Sequence, residues 1–218
     1  MDPITQQVLL AAAGGGELKP GDAHEGGFFA GYISQNANGI ATHGLIVASA
    51  ATGYNNENPL QWKTADTSTS GTSSLFDGAT NTANMANSSH PAANYCAGLT
   101  IDGYSDWYLP ARYELEIAYY NLKPSTDSNN TSFGTNPYSV PARGSNWTAG
   151  NPAQTSATAF QSGGAQDFLI SGSAGYHFSS SEFNSQTAWA VLFQTGRQIT
   201  DFKTTNNMSV RAFRKFAV

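Results

Sequence analysis

The sequence predicts an α+β fold. Three observations carry this. Strand-like apolar runs stand at both ends of the chain, helical periodicity is confined to the middle, and the order strands, helices, loop, strands contains no βαβ alternation. A chain of 218 residues is long enough to bury a substantial core as one large domain with a short appendage.

Residues 1–23 read as that appendage, and 24–218 as the domain. The apolar run Val8–Ala13 is followed by Gly14-Gly15-Gly16 and Pro20-Gly21, a flexible composition. Such a tail is either an anchoring peptide or a disordered terminus. As an anchor, residues 1–16 would be dispensable for folding but needed for docking on another component. Phe28–Ile33 and His43–Ala48 are expected strands, joined across the turn cluster 36–39 as a hairpin. Residues 50–74 read as a polar loop with Trp62 tucked inward. Helical segments are expected over Thr80–Met85 and Pro91–Leu99. A clearer helix follows Pro110, placed in its first turn, with Leu115, Ala118, Tyr119 and Leu122 on one apolar face and Pro124 ending it. Glu114 and Glu116 sit near its N-terminal half, where the helix dipole tolerates anions.

Residues 125–167 form a long Ser/Thr/Asn/Gly/Pro-rich loop, a candidate cover for a subunit interface. Ala188–Phe193 is nearly continuous in apolar residues and reads as a buried central strand. A tight turn over Gln194–Arg197, a return strand over Gln198–Asp201 and a last strand over Ser209–Arg214 complete the chain. Trp107 and Trp189 are both expected in the core.

Charged residues are only 11% of the chain, against about 25% in ordinary proteins, and net charge is −5. Asn, Ser, Thr, Gln and Gly take their place, which suits hydrogen bonding to neutral ligands. No basic stripe exists, so nucleic acid is not an expected partner. No apolar run approaches a membrane span, and Val8–Ala13 is shorter than a signal-peptide core, so assembly in a cytoplasm is expected. Cys96 is the single cysteine, which excludes an intrachain disulfide and a cysteine-rich zinc site.

A family resemblance emerges from several blocks taken together. Gly103-Tyr104-Ser105-Asp106-Trp107-Tyr108-Leu109-Pro110, followed by Arg112-Tyr113-Glu114-Leu115, resembles the hallmark of the DUF1566 (Lcl C-terminal) family. Phe178 through Asn184, Ala188-Trp189, Phe193 through Gly196 and Val210 through Arg214 resemble its later blocks, in order. Gly26–Ala48 and the Asp77–Thr82 stretch resemble its opening hairpin and helix start. The resemblance spans about residues 25–216. It implies a C-type-lectin-like fold, with two helices packed on a twisted antiparallel sheet and the last strands forming the ligand face. The family's tryptophan before the serine run is Phe178 here, and paired cysteines are absent.

No catalytic, metal or cofactor site is expected. Asp22, His24 and Glu25 lack ligand spacing, and His43, His90 and His177 are isolated. The lectin calcium motifs do not occur, and no cluster supplies the six to eight oxygens that calcium takes. Cys96 reads as a small buried hydrophobe, which removes the formylglycine-generating chemistry of related folds. The sequons at Asn87, Asn129, Asn130, Asn146 and Asn207 fall at chance frequency in so Asn/Ser/Thr-rich a chain.

The expected recognition face lies within 182–206. Trp189, Val191 and Phe193 should mark the core side of their strand, while Asn184, Gln186, Gln194, Arg197, Gln198, Thr200 and Asp201 point outward as ligand-binding residues. Replacing Arg197 and Gln198 by Ala should then weaken binding without changing stability. The expected function is a virion protein, a phage tail-fibre or receptor-binding tip, homotrimeric, which recognises a host cell-surface glycan or protein. Residues 1–16 would contact other virion proteins. A capsid decoration or head-fibre protein and a bacterial surface adhesin are the alternatives.

Overall fold

The computed structural model describes residues 17–56 and 59–218, so the expected anchor over 1–16 lies outside the described residues. The fold is α+β, three antiparallel sheets with few and short helices. The first sheet runs β1 (Ala23–His24), β2 (Gly27–Ile33), β3 (His43–Ala48) and β10 (Phe213–Ala217), with β5 (Ser139–Val140) added along β2. β4 (Tyr54–Asn55) pairs with β9 (Val210–Arg211). The third sheet is β6 (Tyr176–Glu182), β7 (Thr187–Leu192) and β8 (Gln198–Phe202), with β7 in the middle.

Four α-helices are described: α1 (Ala50–Gly53), α2 (Gly78–Ala83), α3 (Pro91–Ala97) and α4 (Arg112–Leu122). Asp77 caps α2 by accepting the Thr80 N–H at 3.2 Å. Pro110 stands before the N-cap Ala111 rather than inside the first turn of α4, and its carbonyl accepts the Ser180 N–H at 2.7 Å. Ala111 offers no side-chain acceptor. Glu114 supplies the other half of a capping box, taking the Ala111 N–H at 2.7 Å.

The uninterrupted apolar run of β3 has one cause: this central strand is buried on both faces. On β3, Ile46 and Ala48 join Phe29, Trp62, Cys96, Trp107 and Phe178 in one core cluster. Leu45 and Val47 join Leu115, Ala118, Tyr119, Leu122 and Phe213 in the other. β7 repeats the pattern, with Ala188 and Ala190 in the first cluster and Val191 in the second. Leu18 packs on the first cluster, and Gly21 and Asp22 exchange backbone hydrogen bonds with Phe29.

The last strand divides, contrary to the single strand expected over Ser209–Arg214. Val210–Arg211 pairs with β4, and Phe213–Ala217 with β3. Ala212 makes the crossing between the two sheets. Its N–H reaches Gly53 O at 2.8 Å, and its carbonyl takes the Ala48 N–H at 2.9 Å.

The stretch 125–167 has little regular structure, yet Trp147 and Phe160 are buried in its own chain's core. It closes over the turn between β7 and β8 at Gly196, whose φ is +71°. A Cβ there would stand 2.1 Å from the Trp147 ring and 2.4 Å from the Tyr119 ring. Gly196→Ala is therefore expected to cost about 1–3 kcal/mol through overpacking and left-handed strain, read as a lower urea midpoint. An unchanged midpoint would refute the tight closure.

Candidate functional site

The third sheet is held rigidly from below. The run Ser179-Ser180-Ser181 on β6 is fully buried, and its polar groups are satisfied. Ser179 Oγ donates to Trp189 O at 2.9 Å, Ser180 Oγ accepts from Asn81 at 3.2 Å, and Ser181 Oγ donates to Ser74 O at 2.7 Å. Lys203 is fully buried and points inward. Its ammonium donates to Thr67 O and Ser185 O, both at 2.9 Å, and lies 3.2 Å from Glu182. Burial lowers its pKa, and the Glu182 carboxylate opposes that shift. Glu182 also accepts the Thr69 N–H at 2.7 Å, so the turn between β6 and β7 is clamped to loop 63–72.

Register decides which side chains share the outer face. Thr187 is opposite Phe202, Trp189 opposite Thr200, and Val191 opposite Gln198. The Val191 end is covered by α4, while the Thr187 end is open. At the boundary stands Arg112, the first residue of α4. Its N–H is fixed by Ser181 Oγ at 3.0 Å, its guanidinium lies 4.0 Å over the Trp189 ring, and its Nε donates to Gln198 Oε1. Phe183 packs edge-on to the same indole, with centroids 5.1 Å apart. Phe183 is 54% exposed and Phe202 52%. Apart from Val218 near the C-terminus, they are the exposed large hydrophobic side chains among the described residues.

The seven residues expected to bind ligand are spread over five places. Asn184 and Gln186 are exposed in the turn before β7. The Asn184 side-chain oxygen Oδ1 shapes that turn, accepting the N–H groups of Gln186 and Thr187, both at 2.8 Å. Thr200 lies half-buried on the outer face beside Trp189. Gln194 and Arg197 stand at the other end of β7, about 16 Å away along a six-residue strand. Asp201 is opposite Ala188 on the other side of the sheet, where its carboxylate accepts the Phe202 N–H at 2.7 Å. Gln198, expected to point outward, is only 5% exposed because Arg112 holds it under the end of α4. Replacing Arg197 and Gln198 together would thus break a structural contact, contrary to the stability-neutral expectation.

One further expectation is reversed. Trp189 is half-buried rather than fully buried, and the small Ala188 and Ala190 take the core side, where Phe178 and Trp62 already fill the space. Trp107 is buried as expected, its indole N–H donating to Tyr104 O at 3.0 Å. Arg112 carried a signal that went unread: a basic residue at a helix start, two positions after the proline of the hallmark block.

Several other chemically able groups are enclosed or engaged. Burial pulls the His177 imidazole down to about 3 and holds it neutral, 2.7 Å from the Tyr54 hydroxyl. Burial raises the Cys96 thiol well above its usual range. Glu25 is taken by Arg214 at 2.5 Å, beside a shallow cavity of about 370 Å³ lined by His24, Ser49 and Asp102. Among the described residues, no group of three or more His, Cys, Asp or Glu side chains could hold a metal ion. No helix among them is long and apolar enough to cross a membrane.

A scan against protein-family models finds no match for the chain, and neither does a search of the curated proteins.

Proposed function

We propose that this chain is a non-enzymatic recognition domain of C-type-lectin-like fold, carried as a homotrimeric phage tail-fibre or receptor-binding tip. The open end of the β6–β7–β8 face grips a ligand on the host surface. One observation carries the reading. Two exposed phenylalanines, with a half-exposed tryptophan between an arginine and one of them, share one end of a single sheet whose turn is clamped from behind. Aromatic and arginine side chains concentrate binding energy in interfaces, and a rigid scaffold lowers the ordering cost of using them. The virion setting and the fold name draw on the five-block resemblance, the low charge and the apolar N-terminal run. Closed symmetric assembly is the common state of fibre proteins, which supports the trimer.

The test is the double variant Phe183→Ala/Phe202→Ala. Both rings are more than half exposed, so each change should shift stability by no more than about 0.5 kcal/mol. Adsorption of the purified protein to host cells should fall at least tenfold. Unchanged adsorption, with the melting temperature preserved, overturns the recognition reading and moves capsid decoration ahead of it.

A further inference from the structure

We infer that the open end of this face takes a carboxylate-bearing saccharide, and that Arg112 is the group that meets the carboxylate. This rests on the recognition reading and supplies its ligand class. Most of the ten lysines and arginines already have anionic or carbonyl partners. Arg143, Arg214, Lys203 and Lys215 are paired with carboxylates. Lys63, Lys123 and Arg211 are held by backbone carbonyls.

Arg112 is different. Among the described residues no carboxylate lies within ion-pair distance of it, and its one side-chain hydrogen bond goes from Nε to the neutral amide of Gln198. Its terminal nitrogens make no hydrogen bond within the described chain, and its guanidinium carbon lies 4.0 Å from the Trp189 ring centre. The result is a fork held by the Gln198 bond and the ring contact, with its terminal nitrogens unused. Burial disfavours its charge and lowers its pKa, and the nearby Glu116 carboxylate opposes that shift without bonding the fork, so an incoming carboxylate would add to a partial compensation. A planar fork matches a carboxylate through two parallel hydrogen bonds, and the two contacts already restrict the side chain.

The groups around the fork favour a sugar as carrier of that carboxylate. The exposed Phe183 ring can take the apolar face of a pyranose. Asn184 Nδ2 has no partner among the described residues, Gln186 is exposed, and Thr200 lies on the same face as Trp189, so neutral donors and acceptors stand where hydroxyl groups would. Net charge of −5 disfavours a densely charged polyanion, so the face suits one carboxylate per binding unit.

The experiment uses the full chain and saccharides offered in matched pairs, as the free acid and as its methyl ester: glucuronate- and sialate-terminated oligosaccharides. At least one free acid should bind, with its ester at least tenfold weaker. Arg112→Gln should abolish that preference, Arg112→Lys should keep only a salt-sensitive remnant, and Arg197→Gln should leave it unchanged. Melting curves confirm that each variant is folded. Absence of binding by every free acid, or equal binding of acid and ester, overturns the inference. So does displacement of the saccharide by poly-glutamate, which would make an acidic peptide the occupant. If Phe183→Ala/Phe202→Ala abolishes host adsorption while Arg112→Gln leaves it intact, the recognition reading stands and the carboxylate falls. If neither affects adsorption, both fall.

Discussion

Arg211→Ala is expected to destabilise the protein by about 3–5 kcal/mol, comparable to a large-to-small change in a well-packed core. Arg211 is fully buried on β9 and has no carboxylate partner among the described residues. Its guanidinium lies 4.5 Å from the Phe168 ring centre and 5.0 Å from that of Tyr54. It donates to Ala48 O and Gln166 O, both at 2.9 Å, and to Asp167 O at 3.2 Å. Burial lowers its pKa to about 10, so it remains charged at neutral pH. Truncation empties the aromatic cage and leaves carbonyls from the end of β3 and the 166–167 segment without donors. An unsatisfied buried acceptor costs roughly 1–3 kcal/mol. Arg211→Met separates the two contributions, because it keeps most of the volume and restores none of the hydrogen bonds. It should fall between wild type and Ala in urea melts. A loss below about 1 kcal/mol for Arg211→Ala would mean that the segments are joined by other contacts.

Arg211 also shows where the sequence stops being legible. The apolar neighbours of Val210–Phe213 mark a buried segment, and a strand there is readable from them. That the strand divides at Ala212 is not readable, because its two halves pair with segments more than 150 positions away. The α4 helix is legible from Leu115, Ala118, Tyr119 and Leu122, since its apolar face repeats at helical spacing. Burial of Glu114 and Glu116 beside them is not. Their partners, Gly78 and Tyr108 for the first and Asn136 and Arg143 for the second, arrive from three other segments.

The proposed recognition face divides in the same way. Its location on the β6–β7–β8 strands follows from the order of the sequence blocks. Its orientation does not, because Thr187–Leu192 places apolar residues on both sides of the strand, so alternation gives no direction. Only the volume already filled by Phe178 and Trp62 puts the alanines inside and turns Trp189 outward to meet Arg112.

Glu114→Gln is expected to reshape the dependence of stability on pH. Burial pushes the Glu114 carboxyl up to about 7, against hydrogen bonds from Ala111 and Tyr108 and the charge of Lys215, which favour the carboxylate. The folded state therefore binds a proton there before the unfolded state does. Stability from this group is complete below about pH 4.5 and is lost as pH rises through 7. His177 works in the opposite sense. Burial and the charge of Arg211 pull it down to about 3, so the folded state refuses a proton that the unfolded state accepts. Its contribution is present above about pH 6.5 and is lost as pH falls toward 3. Between about pH 6.5 and 4.5 the two nearly cancel. Below that window Glu114 has nothing more to add, while His177 continues to cost. Asp77, held below its usual value by Thr80 and Lys215, adds to the loss there.

Gln at position 114 can still accept the Ala111 and Gly78 N–H groups and donate to the Tyr108 hydroxyl, so the variant should fold while losing the titration. Relative to wild type it should lose about 1.4 kcal/mol per pH unit as pH falls from 7 to 4.5, or about 3 kcal/mol over that window. His177→Gln should diverge the other way, gaining on wild type as the solution is acidified below pH 6.5. The remaining titrating groups are common to all three proteins and drop out of the differences. Urea midpoints at half-unit pH intervals measure both, and parallel curves for Glu114→Gln and wild type would show that the buried carboxyl stays ionised through the neutral range.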